Sequence, residues 1–199
     1  MHHDGVGYVF PNSGNVELKI DQQTGNWSSL GLKSGSAAMD VFSLWFDHGV
    51  NPAGAQYEYR VIPGVDLTAM VTQVKNMSVR TISNTTDLQA VRNDSLKVTG
   101  LVFYAAGEVE IRSGLTVRAD GPSVVLVKET AEKTTVTVAD PTGLDTVVNI
   151  TLTYAEETSI PMVFTMPTGV ESGRSITQTT EFLIPGMSPP LAPANLKIQ

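Results

Sequence analysis

The chain has 199 residues, of which 41% are hydrophobic and 17% are charged, and this composition excludes an intrinsically disordered chain. Its 13 basic and 20 acidic residues give a formal net charge of −7, and because the basic residues are scattered, nucleic acid is not an expected partner. With no cysteine and no apolar run of about 18 residues, the sequence excludes disulfides, thiolate sites and a membrane-spanning helix.

Short runs rich in β-branched and aromatic residues recur along the chain, and they are separated by Gly, Pro, Asn and Asp. This pattern predicts antiparallel β-sandwiches. The predicted strands, in chain order, are 7–10, 15–20, 41–47, 57–62, 88–92, 96–104, 108–111, 123–129, 133–139, 147–154, 162–166 and 175–182. Segment 147–154 shows the pattern clearly, because Val148, Ile150 and Leu152 occur at every second position and must share one face.

One segment, 65–76, has helical spacing instead. Its apolar residues at positions i, i+3, i+4 and i+7 are Leu67, Met70, Val71 and Val74. Asp66 is placed to cap the first turn of this helix. We therefore predict an all-β protein in which one short helix joins two consecutive antiparallel sandwich units.

The helix also suggests the domain boundaries. We predict a first domain over residues 1–78, a second over 79–185, and an extended tail over 186–199. The tail is predicted because four prolines, Pro185, Pro189, Pro190 and Pro193, follow the last predicted strand and cannot donate to a β-ladder.

Residues 45–64, WFDHGVNPAGAQYEYRVIPG, contain the main candidates for a functional site. Asp47 and His48 could form a catalytic pair, but neighbouring residues of a strand point to opposite faces, so Asp47 is badly placed to orient the His48 ring. The sequence favours a strand that ends at Asp47 and Gly49, with His48 in the turn. We also predict that strand 57–62 pairs with the strand that Asp47 ends.

The aromatic residues of this stretch are open to two interpretations. Tyr57 and Tyr59 share one face of a predicted strand, where they could stack on a sugar or fill the sandwich core, and their spacing favours the core. Trp45 and Trp27 allow the same two interpretations. The candidates for carbohydrate contact are therefore Tyr57, Tyr59, Trp45 and His48.

The three histidines raise the question of a metal hydrolase. His2 and His3 are too close in sequence to form a closed ligand set, and only His48 could join them. The sequence favours solvated terminal residues at His2 and His3. We predict no metal site and no cofactor.

Four segments together resemble polysaccharide lyase family 8, which contains hyaluronate, chondroitin AC and xanthan lyases. They are HHDGVGYVFP at 2–11, QQTGNWSSL at 22–30, FDHGVNPAGAQYEYRVIPG at 46–64 and ISNTTDLQAVRNDSLKVTGLVFY at 82–104. The first three resemble the end of the family's central super-sandwich, and the fourth resembles the opening of its C-terminal β-sandwich. The resemblance implies that the chain corresponds to the C-terminal part of a longer enzyme.

This resemblance also implies what the chain does. The family's catalytic Asn, His, Tyr and Arg lie on an N-terminal α/α-toroid, and a further Glu falls before His2, so no catalytic residue is assigned here and the chain alone is expected to be inactive. It would support the toroid and form one wall of a cleft that binds a uronate-containing polysaccharide. The complete enzyme would be extracellular or periplasmic. A truncated sheet edge would favour self-association. The alternative is a free-standing carbohydrate-binding or adhesion module.

Overall fold

A computed structural model describes residues 1–11, 15–31, 33–155 and 158–181. Within these residues the chain forms fifteen strands and one α-helix, and every strand pairing is antiparallel. The predicted all-β class, with two sandwich units, is confirmed. The predicted tail, 186–199, lies outside the described residues.

The chain divides into two units, Met1–Met77 and Ser78–Gln199. Unit 1 contains β1 (His2–His3), β2 (Val6–Val9), β3 (Val16–Asn26), a 3-10 turn (Trp27–Leu30), β4 (Ser36–Phe46), β5 (Arg60–Pro63) and α1 (Leu67–Lys75). Strands β1, β2 and β5 form a three-stranded sheet in that order, and β3 pairs with β4 along eleven residues as a separate ribbon.

Contacts between aromatic rings join the ribbon to the three-stranded sheet. The Phe42 ring of β4 stacks on the His3 ring with a centroid distance of 4.1 Å, and it lies 5.8 Å from the Tyr8 ring of β2. Phe46, four residues further along the same face of β4, makes an edge contact with Phe10 at 5.6 Å. The apolar face of the ribbon therefore packs against the sheet.

Helix α1 lies against β2 because β2 has a glycine at the crossing point. A Cβ atom added to Gly7 would lie 3.0 Å from the Met70 side chain, which is 8% exposed. The helix begins as predicted, since the Asp66 side chain accepts a hydrogen bond from the Ala69 N–H at 2.7 Å.

The two N-terminal histidines belong to the fold of unit 1. The Nε2 atom of His2 lies 2.7 Å from the carbonyl oxygen of Val65, and His3 pairs with Val6 in the sheet. The expectation of solvated terminal residues is therefore wrong for His2, which is half-buried, whereas His3 is exposed. A short strand places them beside the start of α1, and no metal ligand set involves them among the described residues.

Unit 2 is a sandwich of two antiparallel sheets. Its strands are β6 (Val79–Asn84), β7 (Leu88–Asn93), β8 (Val98–Phe103), β9 (Gly107–Arg112), β10 (Leu115–Ala119), β11 (Ser123–Glu129), β12 (Lys133–Ala139), β13 (Val147–Tyr154), β14 (Ser159–Thr165) and β15 (Ile176–Glu181). One sheet has the order β15-β12-β11-β8-β7-β6, and the other has the order β14-β13-β10-β9. Alternate residues of both sheets form one core, in which Phe103, Ile150 and Phe164 are at most 1% exposed.

Three strands were not predicted: β1, β6 and β10. Strand β6 is at the edge of its sheet, and five of its six residues are half-buried, so it lacks a clear alternation. Strand β10 does alternate, with Leu115, Val117 and Ala119 fully buried, and this was the signal available in the sequence. Among the described residues, no helix is long and apolar enough to cross a membrane.

Candidate functional site

The hairpin predicted for residues 45–64 is wrong. Strand β5 begins only at Arg60 and pairs with β2, where Tyr8 lies opposite Val61, whereas β4 pairs with β3 up to the pair of Val16 and Phe46. The backbone between β4 and β5 includes three residues with positive φ, namely Gly49, Asn51 and Gly54, so it forms an irregular loop instead of a tight turn. Tyr57 and Tyr59 therefore lie in this loop, just before β5.

The loop starts as the sequence predicts. The Asp47 N–H donates to the carbonyl of Asn15, which continues the β3–β4 pairing by one step. The Asp47 carboxylate then accepts a hydrogen bond from the Gly49 N–H at 2.8 Å, and Gly49 has a φ of 70°. Asp47 thus closes the strand end, and His48 lies in the turn between them.

The loop gathers several aromatic rings around Phe46, a group that we call the aromatic cluster: Phe10, Phe46, His48, Tyr57 and Tyr59. The Phe46 ring lies 5.4 Å from Tyr57 and 6.4 Å from Tyr59. Tyr57 and Tyr59 are 6.3 Å apart and nearly parallel, at an angle of 21°. The His48 ring lies 6.2 Å from Phe46 at an angle of 7° and 6.2 Å from Tyr57.

The two tyrosines are at the surface of the unit. Tyr57 is 59% exposed and Tyr59 is 53% exposed, so the expectation that they fill the core is wrong. Phe46 is half-buried, and its ring contacts both tyrosine rings. The result is a pair of nearly parallel, exposed tyrosine rings in the loop just before β5.

Trp45 does not belong to this cluster. It precedes Phe46 on β4, so its side chain leaves the ribbon on the opposite face, where it is 44% exposed. The structure thus brings together Tyr57, Tyr59 and His48 of the four predicted contact residues, and it places Trp45 apart from them.

Phe10 is the member that sequence reasoning missed. It follows β2 and meets Phe46 across 36 positions of sequence, with a centroid distance of 5.6 Å. The sequence carried no local signal for this contact, because it depends on how the ribbon lies on the three-stranded sheet.

The chemistry of the cluster is that of a binding surface. Aromatic rings offer apolar faces, and tyrosine adds a hydroxyl that can hydrogen-bond at the edge of a ligand. The contacts described for the His48 ring are with Phe46 and Tyr57, while the Asp47 carboxylate is engaged by Gly49. Across residues 1–11, 15–31, 33–155 and 158–181, no group of three or more His, Cys, Asp or Glu could hold a metal ion.

Two family models match consecutive parts of the chain. "Polysaccharide lyase family 8, super-sandwich domain" matches residues 1–74, and "Polysaccharide lyase family 8, C-terminal beta-sandwich domain" matches residues 80–149. Fold and family models together define a protein with two different β-sandwich domains in tandem. The chain belongs to polysaccharide lyase family 8.

Relatives of known name agree with this family. The chain is 34% identical to chondroitinase-AC of Pedobacter heparinus over 141 residues, which is 70% of the chain and 20% of that enzyme. It is 32% identical to a hyaluronate lyase of Thermasporomyces composti over 154 residues, covering 75% of the chain and 19% of the relative. A xanthan lyase of a Bacillus species is 25% identical over 142 residues, covering 69% of the chain and 15% of the relative. The chain thus spans about a fifth or less of the length of these curated relatives.

Solved structures show the same fold. A chondroitinase AC lyase studied in complex with oligosaccharides superposes with a TM-score of 0.79 at 28% identity, over 88% of this chain and 26% of that one. A Paenibacillus xanthan lyase superposes with a TM-score of 0.75 at 23% identity, over 88% of this chain and 18% of that one.

Proposed function

We propose that the chain is the non-catalytic β-sandwich portion of a polysaccharide lyase that cleaves a uronate-containing polysaccharide by β-elimination. In this role it supports a catalytic α/α-toroid and forms one wall of the substrate cleft. The observation that carries the proposal is the tandem of two different family 8 domains in one chain.

The side chains of the described residues support a non-catalytic role. Removing a proton next to a uronate carboxylate requires a base near that proton and donors that neutralise the carboxylate. The family's residues for this task lie on the toroid, whereas the one α-helix of the described residues, Leu67–Lys75, has nine residues. His48, the histidine of the aromatic cluster, is exposed, and the contacts described for its ring are with Phe46 and Tyr57.

The aromatic cluster is the surface by which the chain would line a polysaccharide cleft. The chain carries a formal net charge of −7, so overall charge does not attract a polyanion. Stacking of a sugar ring on Tyr57 or Tyr59 does not depend on that charge, and both rings are more than half exposed. We further propose an extracellular or periplasmic location, because polymeric substrates of this kind are met outside the cytoplasm.

The first test is a lyase assay of the 199-residue chain by itself. Hyaluronan, chondroitin and xanthan are incubated with the chain, and the unsaturated product is followed by its ultraviolet absorbance. We expect no product with any of the three. Turnover by the isolated chain would refute the non-catalytic role.

The second test uses the complete enzyme in which these domains occur. Tyr57→Ala and Tyr59→Ala should raise KM several-fold and leave kcat nearly unchanged, because a contact far from the bond that breaks binds ground state and transition state alike. Trp27→Ala is the matched control, since this 51% exposed ring lies at the other end of the β3–β4 ribbon. Equal effects of all three substitutions would contradict a cleft wall at Tyr57 and Tyr59.

A free-standing carbohydrate-binding or adhesion module is the second candidate, and the exposed Tyr57–Tyr59 pair is the observation that favours it. Affinity electrophoresis against a panel of glycans separates the two proposals. Retention on one neutral glycan, lost in Tyr57→Ala and kept in Trp27→Ala, would support the module. Preference for uronate-containing polymers would support the lyase role.

A further inference from the structure

Unit 2 contains a cleft of about 260 Å³ at one end of its sandwich, and we call it the basic cleft. Three basic residues line it, Arg92, Lys97 and Arg112, together with Glu129 and the turn between β11 and β12. Arg92 and Glu129 come from the six-stranded sheet, whereas Arg112 comes from the last residue of β9 in the other sheet. Both sheets therefore contribute charged side chains to the same cleft.

The carboxylate of Glu129 holds the two arginines in place. Its Oε2 accepts from Nη1 of Arg92 at 2.7 Å, and its Oε1 accepts from Nε of Arg112 at 2.6 Å. Arg92 and Glu129 are 4% and 6% exposed at their side chains, while Arg112 is 33% exposed. Guanidinium groups that a carboxylate holds in place are well suited to recognise an oxyanion, because they lose little freedom on binding.

Basic charge exceeds acidic charge around this cleft. Asp94 accepts from Nε of Arg92 at 2.8 Å and from Nε of Arg80 at 2.9 Å, so it is engaged by two arginines. Among the side chains that line the cleft, Arg92, Lys97 and Arg112 are basic and only Glu129 is acidic, which leaves a formal excess of two positive charges. This local excess stands out in a chain whose net charge is −7.

The fold does not require a lysine at position 97 of the cleft. Its φ of 52° lies in the left-handed region, where Gly or Asn is normally favoured. Its carbonyl accepts the Glu129 N–H at 3.0 Å, a backbone contact that any residue could make. The exposed ammonium group has no ion-pair partner in the part of the chain that the structure describes.

We propose that the basic cleft binds a carboxylate or sulphate group of an acidic saccharide, as a second contact apart from the aromatic cluster. Lys97 supplies an exposed cation. Arg112, whose Nε donates to Glu129 and whose Nη1 donates to the Ser113 carbonyl, supplies its remaining guanidinium N–H donors. The volume is below that of most pockets for drug-sized ligands, so the cleft fits about one charged sugar unit. That the anion belongs to a saccharide rests on the proposed function.

Nuclear magnetic resonance titration of the ¹⁵N-labelled chain tests this site directly. The probes are hexasaccharides of chondroitin sulphate and of hyaluronan, neutral maltohexaose, and sodium sulphate. We expect the acidic hexasaccharides to shift the amide signals of Lys97, Thr130, Ala131 and Thr134, and added sodium chloride to weaken the effect. Maltohexaose should leave these signals unchanged.

Two charge-matched variants separate a site from general electrostatics. Lys97→Asn removes the ammonium group and suits the positive φ, so the unfolding midpoint should stay the same or rise while affinity falls about tenfold. Lys128→Gln is the control, because Lys128 is exposed on β11 next to Glu129 and points to the opposite face. Its affinity for the hexasaccharides should remain within about twofold of the parent chain.

Each outcome decides the proposal. Absence of shifts at the cleft with both acidic hexasaccharides overturns it, as does an equal loss of affinity in Lys97→Asn and Lys128→Gln. Sodium sulphate binding as tightly as the hexasaccharides overturns a saccharide site and leaves a simple anion site. Shifts confined to the Tyr57 region overturn the inference but not the proposed function. A responsive cleft in a chain that by itself forms product from hyaluronan, chondroitin or xanthan overturns the proposed function but not the inference.

Discussion

Protonation of Asp140 should destabilise unit 2 at low pH. The side chain is buried at the end of β12, with the residue 1% exposed, and its Oδ1 accepts from the hydroxyl of Thr142 at 2.6 Å and from the Thr142 N–H at 2.7 Å. Its Oδ2 accepts from the Asp145 N–H at 2.8 Å. These bonds fold the connection from β12 to β13, and they are strongest when the carboxylate is charged.

The pKa of Asp140 is lowered from 3.8 to about 2. The hydrogen bond from the Thr142 hydroxyl is the largest cause, and the backbone N–H groups lower the pKa further, whereas burial of the carboxyl group raises it. A lowered folded-state pKa means that the charged form stabilises the fold above the unfolded pKa, and that this stability is lost as the pH falls through the folded pKa. The difference is worth about 2 kcal/mol, and it should disappear between about pH 5 and pH 2.

Urea unfolding at several pH values, followed by far-ultraviolet circular dichroism, measures this effect. Tryptophan fluorescence is unsuitable, since both tryptophans, Trp27 and Trp45, lie in unit 1. Asp140→Asn should lower the free energy of unfolding by about 2 kcal/mol at pH 7, and its difference from the parent chain should shrink toward pH 2. Asp145→Asn is the control, because only the backbone N–H of Asp145 contacts Asp140. A constant difference between the Asp140→Asn variant and the parent chain at every pH would refute this reasoning.

Three further predictions concern the other parts of the fold. Tyr59→Ala should lower the free energy of unfolding by about 1 to 2 kcal/mol, because the ring is half exposed, and His48→Ala should lower it by less than about 1 kcal/mol. Urea melts followed by tryptophan fluorescence measure both values. A loss of 3 kcal/mol or more in either variant would mean a buried ring. Phe164→Ala should lower the free energy of unfolding of unit 2 by about 3 to 5 kcal/mol, measured by circular dichroism. Val163→Ala, at a neighbouring residue that is 56% exposed, should lower it by less than about 1 kcal/mol, and similar losses in the two variants would contradict the described core. The chain should self-associate at high concentration through the β3–β4 ribbon, where Ile20 is 61% exposed. Light scattering should detect this association, and Ile20→Lys should reduce it. A parent chain that stays strictly monomeric would contradict the prediction.

Local pattern determined several of the elements in which one face is fully buried, although β10, which has this pattern, was missed. Strands Ser123–Glu129, Lys133–Ala139 and Val147–Tyr154 have the predicted bounds, because alternate residues of a sandwich strand must enter the core and the others must not. The start of α1 was equally readable, since Asp66 caps a backbone N–H only three residues away. The family resemblance was also a property of the sequence alone, and the family models confirm it.

Tertiary structure decided which strands pair and which side chains meet. Strand β5 pairs with β2 and not with β4, although the loop between β4 and β5 connects those two directly. Any strand edge offers the same N–H and C=O groups, so the choice of partner depends on how whole sheets pack, and no short segment encodes it.

The two candidate surfaces follow from the same rule. Phe10, which follows β2, contacts Phe46 of β4. Glu129 pairs with Arg92, 37 positions away in sequence, and with Arg112, 17 positions away. Each residue type was visible in the sequence, but its neighbours were not. A sandwich brings together residues that are distant in the chain, because its core is shared by two sheets whose strands are not in sequence order.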